Sequence, residues 1–420
     1  MSAQPSRPRP RRVPAAPRPV RHHAMRHWAC MALVAGLSLL MGASHPIPLT
    51  GPEPIIIRQG GTYTGTFRSL NSEVPCITIA TREPVTLQGC VLSGAGNLIE
   101  AKQGWAKLTV VNCRGYGLLP SQDEMQRGYF LSTLGATSVR VEHNYFEQTA
   151  GINIHQWNGD GSPAQTLTIR YNNAKNIDAR YRNGGNTLTN FVALNEVRVL
   201  SNLEIAWNQV INEPNNSLVE DNIALYNSGG TAQSPFRVHD NYVQGAYPYP
   251  ADSPKFSGTG MIIDGDKTNT QGFIEAYNNQ FVQTCNSGMN IAAGHHVRYH
   301  HNRIVMSGLL PDGTRLPSAY TGIAVFNGYE QSSFGNHRVD NNTIGYVQWG
   351  RSNPFPDRQD EADYGIRIIT NTQHLPNPVT RDTEANEFTI WQQKLRKQGV
   401  QVGLDVRSAA RAGAHTLPLR

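Results

Sequence analysis

The 420-residue sequence predicts an all-β fold, a right-handed single-stranded parallel β-helix of about ten coils. Three observations carry this. A short strand phrase ending in Asn or Cys recurs along the chain. A second phrase, Gly followed by alternating apolar residues, falls between many of its copies. The shortest spacing between copies is 23 residues, the length of one solenoid coil.

The chain opens on a different kind of segment. Residues 1–44 hold seven arginines and no acid, with an apolar run from Ala29 to Met41 and then Gly42-Ala43-Ser44. That order is the layout of a secretory signal with a long basic region. Residues 1–44 are therefore expected to be a signal peptide, with Met25 as an alternative start, and the protein to be secreted or periplasmic. An uncleaved membrane anchor is the other reading of the same run. The run is short for a bilayer span, and no other stretch is apolar enough, so no stable membrane insertion is expected.

The solenoid is expected to open at Pro54–Phe67, around the Gly60-Gly61 turn. The first phrase then reads VTLQGC (Val85–Cys90), LTVVNC (Leu108–Cys113), VRVEHN (Val139–Asn144), LTIRYN (Leu167–Asn172) and LEIAWN (Leu203–Asn208). It continues as FRVHDN (Phe236–Asn241), IEAYNN (Ile274–Asn279), VRYHHN (Val297–Asn302) and HRVDNN (His337–Asn342). Apolar alternation over so few residues is a strand signal. The Asn marks a tight turn, where its side chain can bond backbone. Successive copies lie 23, 31, 28, 36, 33, 38, 23 and 40 residues apart, so most coils carry an insertion.

The second phrase reads GINI (Gly151–Ile154), GMII (Gly260–Ile263), GMNI (Gly288–Ile291), GIAV (Gly322–Val325) and GIRI (Gly365–Ile368). Strands in a fixed phase are what stacked parallel sheets require. Cys90 and Cys113 share one column, so they should stack on adjacent coils at about 5 Å, within reach of a disulfide. Buried thiols are the alternative. Residues 45–397 are expected to form the β-helix with its end caps, a helical stretch at Thr389–Lys397 covering the last coil. Residues 398–420 follow as a tail, its end, from 407, expected to be disordered.

The net charge of +6 misleads. Between residues 45 and 393 there are 24 basic and 30 acidic residues, a net −6. A basic folded body, the mark of a nucleic-acid binder, is not what the count describes.

The Asn/Cys column and the Gly phrases, over about residues 54–390, resemble the right-handed parallel β-helix superfamily typified by pectate lyases and related polysaccharide enzymes. The resemblance implies the fold and a polysaccharide partner for a monomeric protein. It names no subfamily. The Asn-Thr-Asp, Asp-Asp, Gly-His-Gly and Arg-Ile-Lys set of polygalacturonases and the Asp-Pro-His-Asp of alginate epimerases are absent.

Chemistry is expected on outward residues, which alternate with the core positions. These give His155, Tyr226, His239, Tyr277 and Phe326, with Trp207 and His301 at the turns, as sugar-binding candidates. Aromatic rings stack on pyranose faces and polar groups bond hydroxyls. The densest cluster is Asp264, Asp266 and Lys267, followed one coil on by His295, His296, Arg298 and His300. Insertions at Gly245–Phe256 and Leu309–Tyr320 are expected to wall it. In a lyase of an acidic, uronate-containing glycan, Lys267, Arg298 or a histidine would take the proton α to the carboxylate, and Asp264 with Asp266 could hold Ca²⁺. In a glycoside hydrolase the two aspartates would be the acid and the nucleophile or base. A non-catalytic glycan-binding or cell-surface protein would use the aromatic residues alone. Against all three stands the plainer reading of Asp-Gly-Asp as a solvated turn.

Overall fold

The structure, a computed structural model, describes residues 47–48 and 53–405, except 179, 199, 256–257, 269–270 and 354. Residues 1–44, expected to be a signal peptide, and residues 406–420 lie outside the described residues. The chain is a parallel β-helix. Each coil contributes one strand to each of three long sheets of 12, 12 and 11 strands, and every pair in them is parallel. The first sheet holds the Asn/Cys phrase, for example Ser138–Glu142. The second follows the turn, as in Tyr145–Glu147. The third holds the Gly phrase, as in Ile152–Trp157. Ile47–Pro48 begins the first sheet, paired with Gly61–Thr64, and Ile55–Ile57 begins the third, so the solenoid opens seven residues before the expected start at Pro54. At the far end Gly365–Ile368, which reads as a further Gly phrase, is instead the approach to the first-sheet strand Ile369–Thr370.

The turn from first to second sheet holds two residues at every coil from Pro84–Gln88 to Arg338–Asp340. The residue before the column is left-handed each time: Gly89, Asn112, His143, Tyr171, Trp207, Asp240, Asn278, His301 and Asn341 have φ between 54° and 65°. That conformation costs a non-glycine residue roughly 1–2 kcal/mol. The column residue repays it. Asn144, Asn172, Asn208, Asn241, Asn279, Asn302 and Asn342 are fully buried. Each of the first six donates both its backbone N–H and its Nδ2 to the Oδ1 of the next, as Asn172 does to Asn208 at 3.0 and 2.9 Å. A further Nδ2 bond reaches a carbonyl one coil back, as from Asn208 to Ile169 at 3.0 Å. Three bonds at about 1 kcal/mol net outweigh the strained residue.

Cys90 and Cys113 sit in this ladder, in register. Both are free thiols, not a disulfide. Each sulfur bonds backbone carbonyl, and Cys113 Sγ reaches Leu87 O at 3.5 Å, the carbonyl an Asn would take. Burial, then the adjacent Cys90, pushes the Cys113 thiol well above its ordinary value.

The C-terminal helix α1 (Arg381–Gln398) is capped by Thr380 and by Gly399 at φ 64°. It is longer than the sequence indicated. It does not cover the last coil; it lies along the second sheet. Trp391 stacks on Tyr242 (5.9 Å) and Trp207 (6.1 Å) and donates to Gln209 Oε1 at 3.0 Å. Arg303 forks onto the buried Glu387 at 2.8 and 2.6 Å. Beyond it the chain stays packed: Gly403 donates to Tyr171 O at 2.7 Å and Asp405 to Asn112 Oδ1 at 2.7 Å.

Three outcomes follow. Asn208→Leu strands the N–H of Asn172 and the carbonyl of Ile169, lowering stability by about 2–5 kcal/mol in a denaturant titration. Cys113→Asn, which supplies the Nδ2 that Asn144 Oδ1 lacks, keeps or raises the midpoint. Trp391→Ala costs about 3–5 kcal/mol and opens the 375–380 linker to limited proteolysis before the coils unfold.

Candidate functional site

Because the first corner is fixed at two residues, insertions fall at the other two. Between second and third sheets lie loops 118–130, 176–191, 212–220, 247–258 and 307–320. Between third and first sheets lie loops 158–166, 196–203, 227–235, 265–271 and 326–337. Both sets border the third sheet, making its outward face the floor of a trough. His155, Asn195, Tyr226 and Asp264 stand on it in one register column.

The sequence-derived cluster is not one site. Asp264 is on the trough floor, its Oδ1 accepting from Gly265 N at 2.9 Å. Burial first, then the bond to Asp264, pushes the Tyr329 phenol up. Asp266 is in the rim loop. Its Oδ1 accepts from Thr268 N and Oγ1, and its Oδ2 from Asn227 Nδ2 at 2.9 Å. It is thus the turn carboxylate of the plainer reading. Asp264 and Asp266 therefore stand on different elements, the trough floor and the rim loop, each held by its own hydrogen bonds. Among the described residues no group of three His, Cys, Asp or Glu side chains is arranged to hold a metal. Lys267 pairs with Glu330 at 3.1 Å on the exposed rim.

His295 and His296 begin a first-sheet strand, packed on Phe273 at 5.1 and 4.7 Å. Burial, then these two histidines, lowers the neighbouring His337 to about 4. Arg298 and His300 lie farther along the same strand, on a different face of the solenoid from Asp264. There the outward residues satisfy one another. Arg298 pairs with Glu275 (3.2 Å) and Asp340 (3.5 Å), and His300 with Glu275 (3.0 Å). His239 bonds Asp240 (2.7 Å) and Glu204 (3.2 Å). Tyr277 is stacked between His239 (4.8 Å) and His300 (5.2 Å), and His300 bonds His301 at 2.8 Å. These rings form a stack along the sheet. Trp207 is covered by α1 and is not a sugar platform. Phe326 packs edge-on against Tyr364 at 6.0 Å, at the start of rim loop 326–337.

The sequence reading missed the other wall. Glu220 ends loop 212–220, just before the third-sheet strand Asp221–Tyr226. Burial first, then Asp221 and Asp264, pushes its carboxyl up to about 7. Asp221, which accepts from Thr259 Oγ1, is raised by burial to about 6. Glu220 lines a hollow of about 220 Å³ with Leu188, Tyr249 and Lys255. A second hollow, of about 470 Å³, shares Tyr249 and Lys255 and adds Arg127, Arg180 and Arg182. Leu119, Leu188 and Tyr249 on these walls are each more than half exposed, which leaves apolar surface facing the cleft. The available signal was the surplus length of the 113–144, 172–208 and 208–241 intervals, together with the basic-aromatic run Arg180-Tyr181-Arg182.

Glu220 gives a pH signature. Its folded-state value lies above the ordinary 4.5, so its contribution is complete below pH 4.5 and is lost as pH rises through about 7. Glu220→Gln is expected to melt with the wild type at pH 4.5 and above it at pH 8; parallel melting curves at both pH values would show an ordinary carboxyl.

No family model, curated protein or solved structure matches the chain.

Proposed function

We propose that this chain is an exported enzyme of the pectate-lyase-like β-helix kind, cleaving a uronate-containing polysaccharide by β-elimination in the third-sheet trough. The observation that carries the reading is Glu220, a carboxyl held near neutrality at the edge of a long loop-walled groove. A group with its pKa near the working pH is the effective proton carrier. The glycan lies along the trough, over Tyr226 and Asp264, with Lys255 offsetting the negative charge of the uronate and of the enolate that forms. Glu220 takes the C5 proton. The C4–O4 bond breaks as the C4–C5 double bond forms, and the departing oxygen takes the proton back from Glu220.

A second reading draws on the same residues. Asp264 lies close enough to Glu220 to help raise its carboxyl. A protonated carboxyl beside an ionised one is the arrangement of a glycoside hydrolase. Product chemistry separates the readings. β-Elimination yields absorbance at about 235 nm from the unsaturated product, whereas hydrolysis yields reducing ends without it. A binding protein yields neither. The expected outcome on a panel of uronate polysaccharides is absorbance that rises with time for the wild type. It should fall by about 10²–10⁴-fold in Glu220→Gln, the usual worth of a general acid–base group. Undiminished turnover in Glu220→Gln would remove the assignment.

A further inference from the structure

We propose that the larger hollow is a binding site for a sugar carboxylate, built by loops 118–130 and 176–191 around the Arg127 guanidinium. Asp178, whose side chain is fully buried, anchors it. It accepts from Arg127 Nε at 2.8 Å, and from Arg180 Nε at 2.7 Å and Nη2 at 2.9 Å. Two guanidinium groups on one carboxylate leave a net positive charge in the wall. Arg180 is otherwise occupied. Its Nη1 donates to Asn215 O at 2.9 Å, and its guanidinium lies 4.6 Å from the Tyr249 ring centroid.

Arg127 differs. It is only 8% exposed and lines the hollow. After the Nε bond its remaining four N–H donors make no hydrogen bond to any described residue. None of its nitrogens is among the enclosed atoms left without a partner, so the four donors open into the hollow. A guanidinium fork open to a cavity is the geometry that takes a carboxylate in two parallel bonds. Arg182, held by Asp123 at 2.6 Å and Ser121 O at 2.7 Å, and the exposed Lys255 add charge at the mouth. Leu119 and Tyr249 offer apolar surface for the C–H face of a pyranose. The anion chemistry stands on Arg127 alone. That the anion belongs to a sugar rests on the proposed function.

Calorimetry on the full chain carrying Glu220→Gln tests this without turnover. The probes are hexasaccharides of galacturonate, glucuronate and mannuronate, the methyl ester of each, and a sulfated neutral hexasaccharide. At least one free-acid uronate is expected to bind and its ester to bind at least tenfold more weakly. Arg127→Lys, which keeps the charge and loses the fork, should weaken binding about tenfold. Lys255→Ser, on the surface where folding is not at issue, should weaken it about threefold and reduce its salt dependence. No binding by any uronate, equal binding of acid and ester, preference for the sulfated sugar, or unchanged affinity in both variants would overturn the site. Binding that depends on Arg127, with no cleavage by the wild-type protein, would leave this site standing and remove the proposed reaction. Cleavage at full rate by Arg127→Lys with Glu220 intact would do the reverse.

Discussion

The two-residue corner closed by the asparagine ladder is the constraint on which the rest of the molecule depends. A parallel coil must turn sharply between sheets, and a non-glycine residue in the left-handed region is the means used at His143, Tyr171 and Trp207. Alone, that choice is unfavourable. It holds because the next residue, buried and polar, ties its own coil to its neighbours through three hydrogen bonds at a place water cannot reach. An extra residue at this corner would carry the Asn out of line and strand its partners on both sides, so the length there does not vary.

That invariance decides where function can sit. Insertions are confined to the other two corners, and both flank the third sheet. The second sheet is closed off differently, by α1, whose Trp391, Glu387 and Lys394 bond outward residues of successive coils. The first sheet carries a grid of Arg, Glu, Asp and His that neutralises itself. Its charges are numerous, but each carboxylate already has its cation, as Glu142 has Arg140 and Arg170. The trough is where, among the described residues, Glu220, Asp221 and Asp264 have no ion pair and the Arg127 guanidinium, tied to Asp178 through Nε alone, has donors to spare. Uncompensated groups of that kind cost stability, and a bound ligand is what offsets the cost.

Charge is distributed rather than summed. The body from 45 to 393 is net −6, which argues against an anionic partner if spread evenly. Folding gathers Arg127, Arg180, Arg182 and Lys255, scattered over more than a hundred residues, onto one wall. Over a few ångströms inside a cleft, local charge outweighs net charge, because solvent screening shortens the reach of the rest.

The sequence by itself determined the coil. Strand alternation, the Asn/Cys column and the 23-residue minimum fixed the register, and the outward column His155–Tyr226–Asp264 came with it, since a period of two leaves no freedom once the core face is known. Only the tertiary structure decided which outward residues are free. Asp266, His300 and Trp207 look alike as exposed functional groups in sequence, yet a turn, a neighbouring strand and the C-terminal helix take them up. Those partners are 25 to 184 residues away, or, for Asp266, 39 on the other side of a coil. Glu220 and Arg127 were illegible for the converse reason. They lie in insertions, where no repeat constrains the chain, and what makes them distinctive is burial beside loops contributed by other coils.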